Sequence, residues 1–158
     1  MRCKRGPNGQ FEASEALIQI RRSALVWKTP AVMFDLVNDV EAYPRRFPWC
    51  AGSEVLERID SALTARLDVR LAGITQSFTT RNTLESPGRI HMHLVDGPFR
   101  TLEGEWNFLA LGDAGCKIMF ALDFDYSGRF TAPALRRGFQ NLADRMVDDF
   151  VGEANRLG

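Results

Sequence analysis

The C-terminal part of the chain carries one continuous apolar stripe. Apolar residues recur there in steps of three and four, at Leu135, Phe139, Leu142, Met146, Phe150, Ala154 and Leu157. This spacing predicts a single amphipathic helix from about Phe130 to Leu157. Ser127-Gly128 breaks the preceding element, Thr131 is a candidate N-cap, and Pro133 is tolerated in a first helical turn. About 26 helical residues span roughly 39 Å, the length of a strand of about 11 residues, so the stripe predicts a sheet that covers it.

A period of two dominates the chain from Gly52 to Tyr126. Turn signals interrupt it at Asp60-Ser61, Ala72-Gly73, Ser86-Pro87-Gly88, Asp96-Gly97-Pro98 and Gly112-Asp113-Ala114-Gly115. The apolar phase between the turns comprises Leu63, Ala65, Leu67, Val69, Leu71, Ile74, Phe78, Leu84, Ile90, Met92, Leu94, Leu102, Trp106, Phe108, Ile118, Phe120, Leu122, Phe124 and Tyr126. The opposite phase is polar. This alternation predicts an antiparallel meander with one dry face and one wet face, and long strands of this kind curl.

The stretch before the meander combines a strand with short helices. Alternating apolar residues from Ile18 to Val26 predict a first strand, but Arg22 shares their phase, which indicates either a bulge or an inward arginine. Thr29-Pro30 is typical of a helix N-cap followed by proline, and it predicts a short helix. The apolar side of that helix comprises Val32, Met33, Leu36, Val37 and Val40. A second helical turn, from Asp39 to Tyr43, should end at Pro44.

These elements predict an α+β helix-grip fold. We expect a curved antiparallel sheet of six to seven strands around the long C-terminal helix, with two short helices after the first strand. Residues 1–14 are rich in Gly, Pro and charge without periodicity, which predicts a disordered extension. The length of 158 residues, with 45% hydrophobic residues, suits one domain over residues 15–158.

Charge and cysteine content narrow the function classes. Twenty Lys and Arg balance twenty Asp and Glu, so the total gives no reason to expect DNA as a partner. Cys3, Cys50 and Cys116 are odd in number and widely spaced, which indicates reduced thiols rather than disulfides or zinc ligands. The basic start lacks an apolar run of the kind that signal peptides carry, so we expect a cytoplasmic protein, with a peripheral position at the inner membrane as an alternative.

Several motifs, in this order, resemble a known family. They are Met33 to Pro44, Phe47-Pro-Trp-Cys50, Phe78-Thr-Thr-Arg-Asn82, Leu94 to Phe99, and Gly104-Glu-Trp106. Between about Ile18 and Ala154 the chain resembles the bacterial RatA and mitochondrial coenzyme Q-binding proteins of the START-like, polyketide-cyclase-like superfamily. The resemblance implies the helix-grip fold and a cavity that binds ubiquinone or a similar polyisoprenoid lipid. For RatA-type members it implies interference with the association of ribosomal subunits. The N-terminal extension departs from the usual start of the family.

Catalysis finds little support in the residue pattern. An enzyme needs an acid or base aimed into the cavity, but the acidic residues of the meander, Asp68, Glu103, Glu105, Asp123 and Asp125, fall on the wet phase. His91 and His93 point the same way, yet no third ligand is apparent, so we expect surface histidines and no metal. No catalytic residue and no cofactor is predicted. An aromatase or cyclase enzyme ranks third among the functions.

The predicted ligand site combines the dry face with the loop from Tyr43 to Cys50. It comprises Tyr43, Phe47, Trp49, Leu67, Val69, Phe78, Met92, Leu94, Trp106, Phe120, Phe124, Phe139 and Met146. Plain core packing is the alternative for each aromatic residue. Tyr43, Phe47 and Trp49 form either an amphipathic lip, with the tyrosine hydroxyl on a ligand carbonyl, or a plug at the end of the sheet.

Our first hypothesis is a non-catalytic protein that binds ubiquinone or a related prenyl lipid and supports respiratory quinone function. Its partners are then the lipid and, transiently, the inner membrane. The alternative is a toxin that binds the large ribosomal subunit and blocks subunit association. A basic patch for ribosomal RNA is one interpretation of Arg45, Arg46, Arg129, Arg136 and Arg137; ordinary solvated surface is the other.

Overall fold

The computed structural model describes residues 17–130 and 132–158, and these form one antiparallel sheet with helices against it. The strands are β1 (Ile18–Val26), β2 (Cys50–Ile59), β3 (Ala62–Leu71), β4 (Ile74–Glu85), β5 (Arg89–Asp96), β6 (Phe99–Leu111) and β7 (Gly115–Tyr126). Their order in the sheet is β1-β7-β6-β5-β4-β3-β2. The predicted α+β helix-grip architecture is confirmed, with the upper of the two expected strand numbers.

The five turn signals all fall at junctions between consecutive strands, as the sequence predicts, although Asp96 and Gly115 are themselves the end of β5 and the start of β7. The turn that joins β3 to β4 has two residues, Ala72 and Gly73, with φ values of 52° and 80°. Two consecutive positive φ values match the twist of a two-residue hairpin, which explains why a glycine stands there. The turns therefore fix the register of the meander.

The helices follow the predicted order. They are α1 (Pro30–Asn38), a 3₁₀ turn (Val40–Ala42), α2 (Tyr43–Arg46) and α3 (Pro133–Leu157). Thr29 caps α1, because its Oγ1 accepts a hydrogen bond of 3.3 Å from the Val32 amide. The predicted second turn is present as the 3₁₀ turn and ends before Pro44, but a further helix that was not expected, α2, begins at Tyr43. Pro44 lies in its first turn, where a missing N–H costs nothing. Val32, expected on the apolar side of α1, is 48% exposed.

Two predictions fall on parts of the chain outside the described residues. The predicted disordered extension, residues 1–14, lies there entirely, since the description starts at Leu17, and so does the candidate cap Thr131. The N-cap position of α3 is occupied by Ala132, whose side chain makes no capping hydrogen bond. The start of the helix is therefore fixed by Pro133 rather than by a side-chain cap.

The long helix packs its stripe against the concave face of the sheet. Phe139, Leu142, Phe150 and Ala154 are buried, as the three-four spacing predicts. Leu157, the last residue of the helix, is 53% exposed, contrary to its predicted phase. Ile74 is also exposed, contrary to its predicted phase.

Arg22 shares the phase of the buried isoleucines of β1 without a bulge. The pairing of β1 with β7 is continuous from Ile18 to Val26, so Arg22 points to the side that carries α3. Because β1 is the edge strand, the guanidinium reaches past the sheet and donates a hydrogen bond of 2.6 Å to Asp144 Oδ1 on α3. The inward alternative is thus correct, although the side chain stays exposed at the edge.

The described cysteines are isolated thiols. Cys50 and Cys116 are buried and free, and burial raises the pKa of both thiols. Raised thiol pKa values lower reactivity, since the thiolate is the nucleophile. No helix within the described part of the chain combines the length and the apolar character that crossing a bilayer requires.

Candidate ligand site

A cavity of about 80 Å³ lies between the concave face of the sheet and α3. Ten predicted site residues line it: Tyr43, Trp49, Leu67, Val69, Phe78, Met92, Trp106, Phe120, Phe139 and Met146. Strands β3 to β7 supply one wall, because their alternate residues face α3. The sheet therefore gathers most of the predicted residues around one space, and their binding of a ligand stays a prediction.

Three predicted site residues lie elsewhere. Phe124 is fully buried between Phe99 and Phe139, with ring centroids 6.0 and 5.1 Å away, so it belongs to the core. Phe47 is 4% exposed and packs behind Trp49. Leu94 is half-buried against the core and does not line the cavity. For these three residues, the alternative of plain packing describes the structure better.

Nine lining residues were missing from the predicted site: Val40, Ala65, Thr80, Asn82, Leu102, Leu122, Leu142, Ala143 and Phe150. The polar pair among them was the least expected. Thr80 and Asn82 share the phase of Phe78 and Leu84 on β4, so their numbering alone places them on the dry face. Their polar identity hid this signal, because buried strand positions are usually apolar.

Thr80 and Asn82 form a hydrogen-bonded pair within the apolar wall. The Thr80 hydroxyl donates to Asn82 Oδ1 over 2.9 Å, and each residue is only 8% exposed. Among the described residues, Asn82 Nδ2 has no hydrogen-bond partner. The amide lines the cavity and is not sealed inside the core, so its N–H groups are accessible to an acceptor within the cavity. The site can therefore bind an apolar molecule that bears a carbonyl.

The segment from Tyr43 to Trp49 is a plug, and the lip hypothesis is wrong on two points. Tyr43 and Phe47 are buried, at 7% and 4% exposure, because α2 turns their rings toward the core. The Tyr43 hydroxyl already donates to the carbonyl of Val37, so it is not free for a ligand. Phe47 stacks on Trp49 with ring centroids 5.0 Å apart and meets Phe150 edge-on at 4.7 Å.

Polar contacts fasten this plug to the second half of α3. Trp49 Nε1 donates a hydrogen bond of 3.1 Å to Asp149 Oδ2. Arg46 donates to Glu153 over 3.3 Å, and Arg156 donates to the same carboxylate over 2.7 Å. These hydrogen bonds, Arg156 first, hold the pKa of Glu153 below its usual range. The wall at this end of the cavity is therefore tied to the helix that covers it.

The cavity offers little for acid-base catalysis. Tyr43 is the one ionisable side chain among its lining residues, and burial strongly raises the pKa of its hydroxyl. Asp68 lies outside the cavity, where hydrogen bonds from Ser77 and Arg66 lower its pKa. Asp125 corrects the expectation of a solvated charge: it is 8% exposed and accepts a hydrogen bond of 2.8 Å from Arg100.

The candidate basic patch does not form one surface. Arg46 donates to Glu153, near the end of α3, whereas Arg136 donates to the carbonyl of Phe130, near the start of α3. Residues 136 and 153 are roughly 25 Å apart along the helix axis. Arg129 donates a hydrogen bond to the carbonyl of Gly97 but stays exposed, with 67% of its side chain accessible. The exposed arginines of the set lie at two separate places: Arg45 on α2, and Arg129, Arg136 and Arg137 around the start of α3.

Comparison with known proteins identifies the family. Residues 26–151 match the family described as polyketide cyclase / dehydrase and lipid transport. Over 138 residues the chain is 45% identical to a protein of Pseudomonas aeruginosa named ribosome association toxin RatA, which covers 87% of this chain and 96% of that protein. The chain belongs to the RatA branch of this family. The family that the sequence motifs resemble is thus confirmed.

More distant relatives extend the comparison. The chain is 27% identical over 128 residues to a Drosophila melanogaster protein named mitochondrial coenzyme Q-binding protein COQ10, covering 78% of this chain and 53% of that protein. The structure of the Zhui aromatase/cyclase from Streptomyces superposes with a TM-score of 0.77 at 19% identity, over 89% and 94% of the two chains. A START superfamily protein from Mycobacterium smegmatis gives 0.75 at 21% identity, over 89% and 99%. At these identities the two structures show the shared fold alone.

Proposed function

We propose that this RatA-type protein binds ubiquinone or a related prenyl lipid without transforming it, and so supports respiratory quinone function. The observation that carries the proposal is the unpartnered amide of Asn82 in an otherwise apolar cavity. Thr80 holds the amide oxygen, which leaves the two N–H groups for a carbonyl of the quinone head group. The coenzyme Q-binding relative supports the same ligand class.

The cavity is smaller than the proposed ligand, so binding requires the cavity to expand. A volume of about 80 Å³ is well below the roughly 300–1,000 Å³ of a typical ligand pocket. Entry of a head group and tail therefore requires lining side chains to move. Met92 and Met146 are suited to this, because unbranched thioether side chains repack at low cost. The tail would extend between the sheet and α3.

The lack of a suitable acid or base at the cavity supports binding rather than catalysis. The raised pKa keeps the Tyr43 hydroxyl protonated at physiological pH, and its proton is engaged by Val37. Our proposal places the protein in the cytoplasm, with transient contact to the membrane that holds the lipid.

Identification of copurified lipid tests the proposal. The protein is purified without detergent, extracted with organic solvent, and the extract is analysed by mass spectrometry. We expect a quinone or prenyl lipid near one equivalent per chain, reduced in Asn82→Leu and retained in Asn141→Leu, which makes the same change on the exposed face of α3. An extract without such a lipid from the parent protein, after expression in a quinone-producing host, would contradict the proposal.

A second candidate function is interference with the association of ribosomal subunits. The 45% identity to a protein named for that activity favours it. Sedimentation of purified ribosomes in the presence of the protein tests it directly: an increase in free subunits at the expense of whole ribosomes supports the toxin function. The lipid extract and the sedimentation profile are independent readouts, so each function can fail alone.

A further inference from the structure

His91, His93 and Glu103 form a cluster of metal-ligating groups on the outer face of the sheet. His91 and His93 are two residues apart on β5 and point the same way, while Glu103 lies opposite His93 on β6. The expectation that no third ligand is available is therefore wrong. The turn between β5 and β6 brings a residue ten positions later in the chain onto the same surface.

The distances suit a small divalent cation. His93 Nδ1 lies 2.9 Å from Glu103 Oε2, and His91 Nε2 lies 3.4 Å from Glu103 Oε1. One ligand atom from each residue falls within 4.8 Å of the other two. Tetrahedral ligands at ~2.0–2.2 Å from Zn²⁺ lie about 3.3–3.6 Å from one another, so small side-chain adjustments bring all three atoms onto one ion.

Neighbouring carboxylates on this face are paired with arginines, whereas Glu103 is not. Glu105, on the same strand, is paired with Arg89 at 2.9 Å, and across β7 Asp123 is paired with Arg21 at 2.8 Å. Within the part of the chain that the structure describes, the side-chain contacts of the Glu103 carboxylate are with the two imidazoles and with no arginine or lysine. Imidazole nitrogen and carboxylate oxygen are ligands that Zn²⁺ and related ions prefer.

We propose that His91, His93 and Glu103 bind one divalent transition-metal ion such as Zn²⁺, with water completing the coordination. The pairing of β5 with β6 ends at His93 and Glu103, so the ion would tie the two strands where they separate. The inner side of the same stretch carries Met92 and Leu102, which line the cavity. The metal site thus lies on the outer face of the strands whose inner face lines the cavity, and it is separate from the ligand site.

Isothermal titration of untagged protein with Zn²⁺ tests the proposal. A Cys3→Ser background removes a thiol outside the described residues, and Cys50 and Cys116 are buried. We expect one Zn²⁺ per chain, with affinity at least tenfold weaker in Glu103→Gln and in His93→Gln. Glu54→Gln, the same substitution at a carboxylate of the outer face paired with Arg66, should bind Zn²⁺ as the parent does.

A measurement on the parent chain keeps the test independent of any folding defect. The chain has only two histidines, so NMR resolves both imidazole rings, and Co²⁺ or Zn²⁺ should perturb both together at one equivalent. No saturable Zn²⁺ binding, or binding that leaves either ring unperturbed, would overturn the site. Equal Zn²⁺ affinity in Glu103→Gln would overturn the assignment of the third ligand.

Discussion

Thr80 donates a hydrogen bond of 2.9 Å to the side-chain oxygen of Asn82 within the cavity. The two residues are two positions apart on β4, so the pleat of the strand makes them neighbours on one face. The threonine satisfies the oxygen of the amide and thereby fixes its orientation. The nitrogen is left as a preformed donor in an apolar surrounding, where a hydrogen bond to a ligand gains strength from the low dielectric.

Docking of α3 on the sheet predicts that Phe139→Asp unfolds the domain. Phe139 is 3% exposed and its ring meets those of Phe99 and Phe124 at 4.8 and 5.1 Å. The substitution leaves a cavity and buries an unpaired carboxylate, at a cost of several kcal/mol. Circular dichroism and thermal melting measure the effect, and Gln140→Asp on the exposed side of α3 is the control. An unchanged melting curve for Phe139→Asp would show that α3 does not dock this way.

The plug predicts that Phe47→Ala loses stability rather than ligand alone. Truncating a buried phenylalanine costs about 3–5 kcal/mol, which lowers the melting temperature of a chain of this size by roughly 10 °C. Pro48→Ala, at the exposed neighbour, should melt close to the parent. A Phe47→Ala variant that melts like the parent but has lost its lipid would restore the lip hypothesis.

The ion pairs of Glu153 should make a contribution to the free energy of unfolding that is lost in acid. Its side chain is 7% exposed, and hydrogen bonds from Arg156 and Arg46 hold its pKa below the usual value. A depressed carboxyl pKa stabilises the folded chain above the unfolded pKa of about 4.3, and the contribution is lost as the pH falls through the lower folded value. At pH 7, Glu153→Gln should therefore cost about 1.5–3 kcal/mol.

Urea unfolding at several pH values measures this effect. The difference between Glu153→Gln and the parent should be constant from pH 7 down to about 5 and shrink below that. Glu57→Gln, which breaks an exposed pair with Arg81, should cost less than about 1 kcal/mol. A difference for Glu153→Gln that persists at the lowest pH would contradict the ionic origin of the contribution.

The sequence predicts the fold well because each signal in it is local. The three-four stripe of α3, the period of two and the five turns each follow from neighbouring residues, and together they leave few arrangements. The errors lie at the ends of elements. Leu157 and Ile74 have the correct phase for burial, but no partner element reaches them. The position of a residue in the repeat predicts which way its side chain points, but it does not predict whether another element packs against that side chain.

The site is less predictable because it depends on contacts between different helices and strands, which no single local pattern shows. The partner of the Tyr43 hydroxyl, the carbonyl of Val37, appears only once α1 and α2 pack together. Glu103 becomes a neighbour of the histidines only through the register of β5 with β6. Asn82 could have been found, since its phase on β4 is clear from the numbering alone.

If the protein separates ribosomal subunits, that activity should depend on exposed arginines. Arg45 and Arg137 are exposed, so Arg45→Glu with Arg137→Glu should leave melting unchanged. If the protein acts on the ribosome through these groups, the double variant should no longer raise the fraction of free subunits in a sedimentation profile. Retained subunit separation in a correctly folded double variant would exclude a role for these two arginines.

Titration with a short-tailed ubiquinone tests the central claim most directly. Trp49 and Trp106 line the cavity, so quinone binding should quench their fluorescence in a saturable way. Thr80→Val with Asn82→Leu removes both members of the polar pair, which should keep stability nearly unchanged. We predict that this double variant binds the quinone about tenfold or more weakly, while a hydrocarbon of similar size without carbonyls binds both proteins equally. Equal quinone affinity in the parent and the double variant, or no saturable quenching in the parent, would contradict the account.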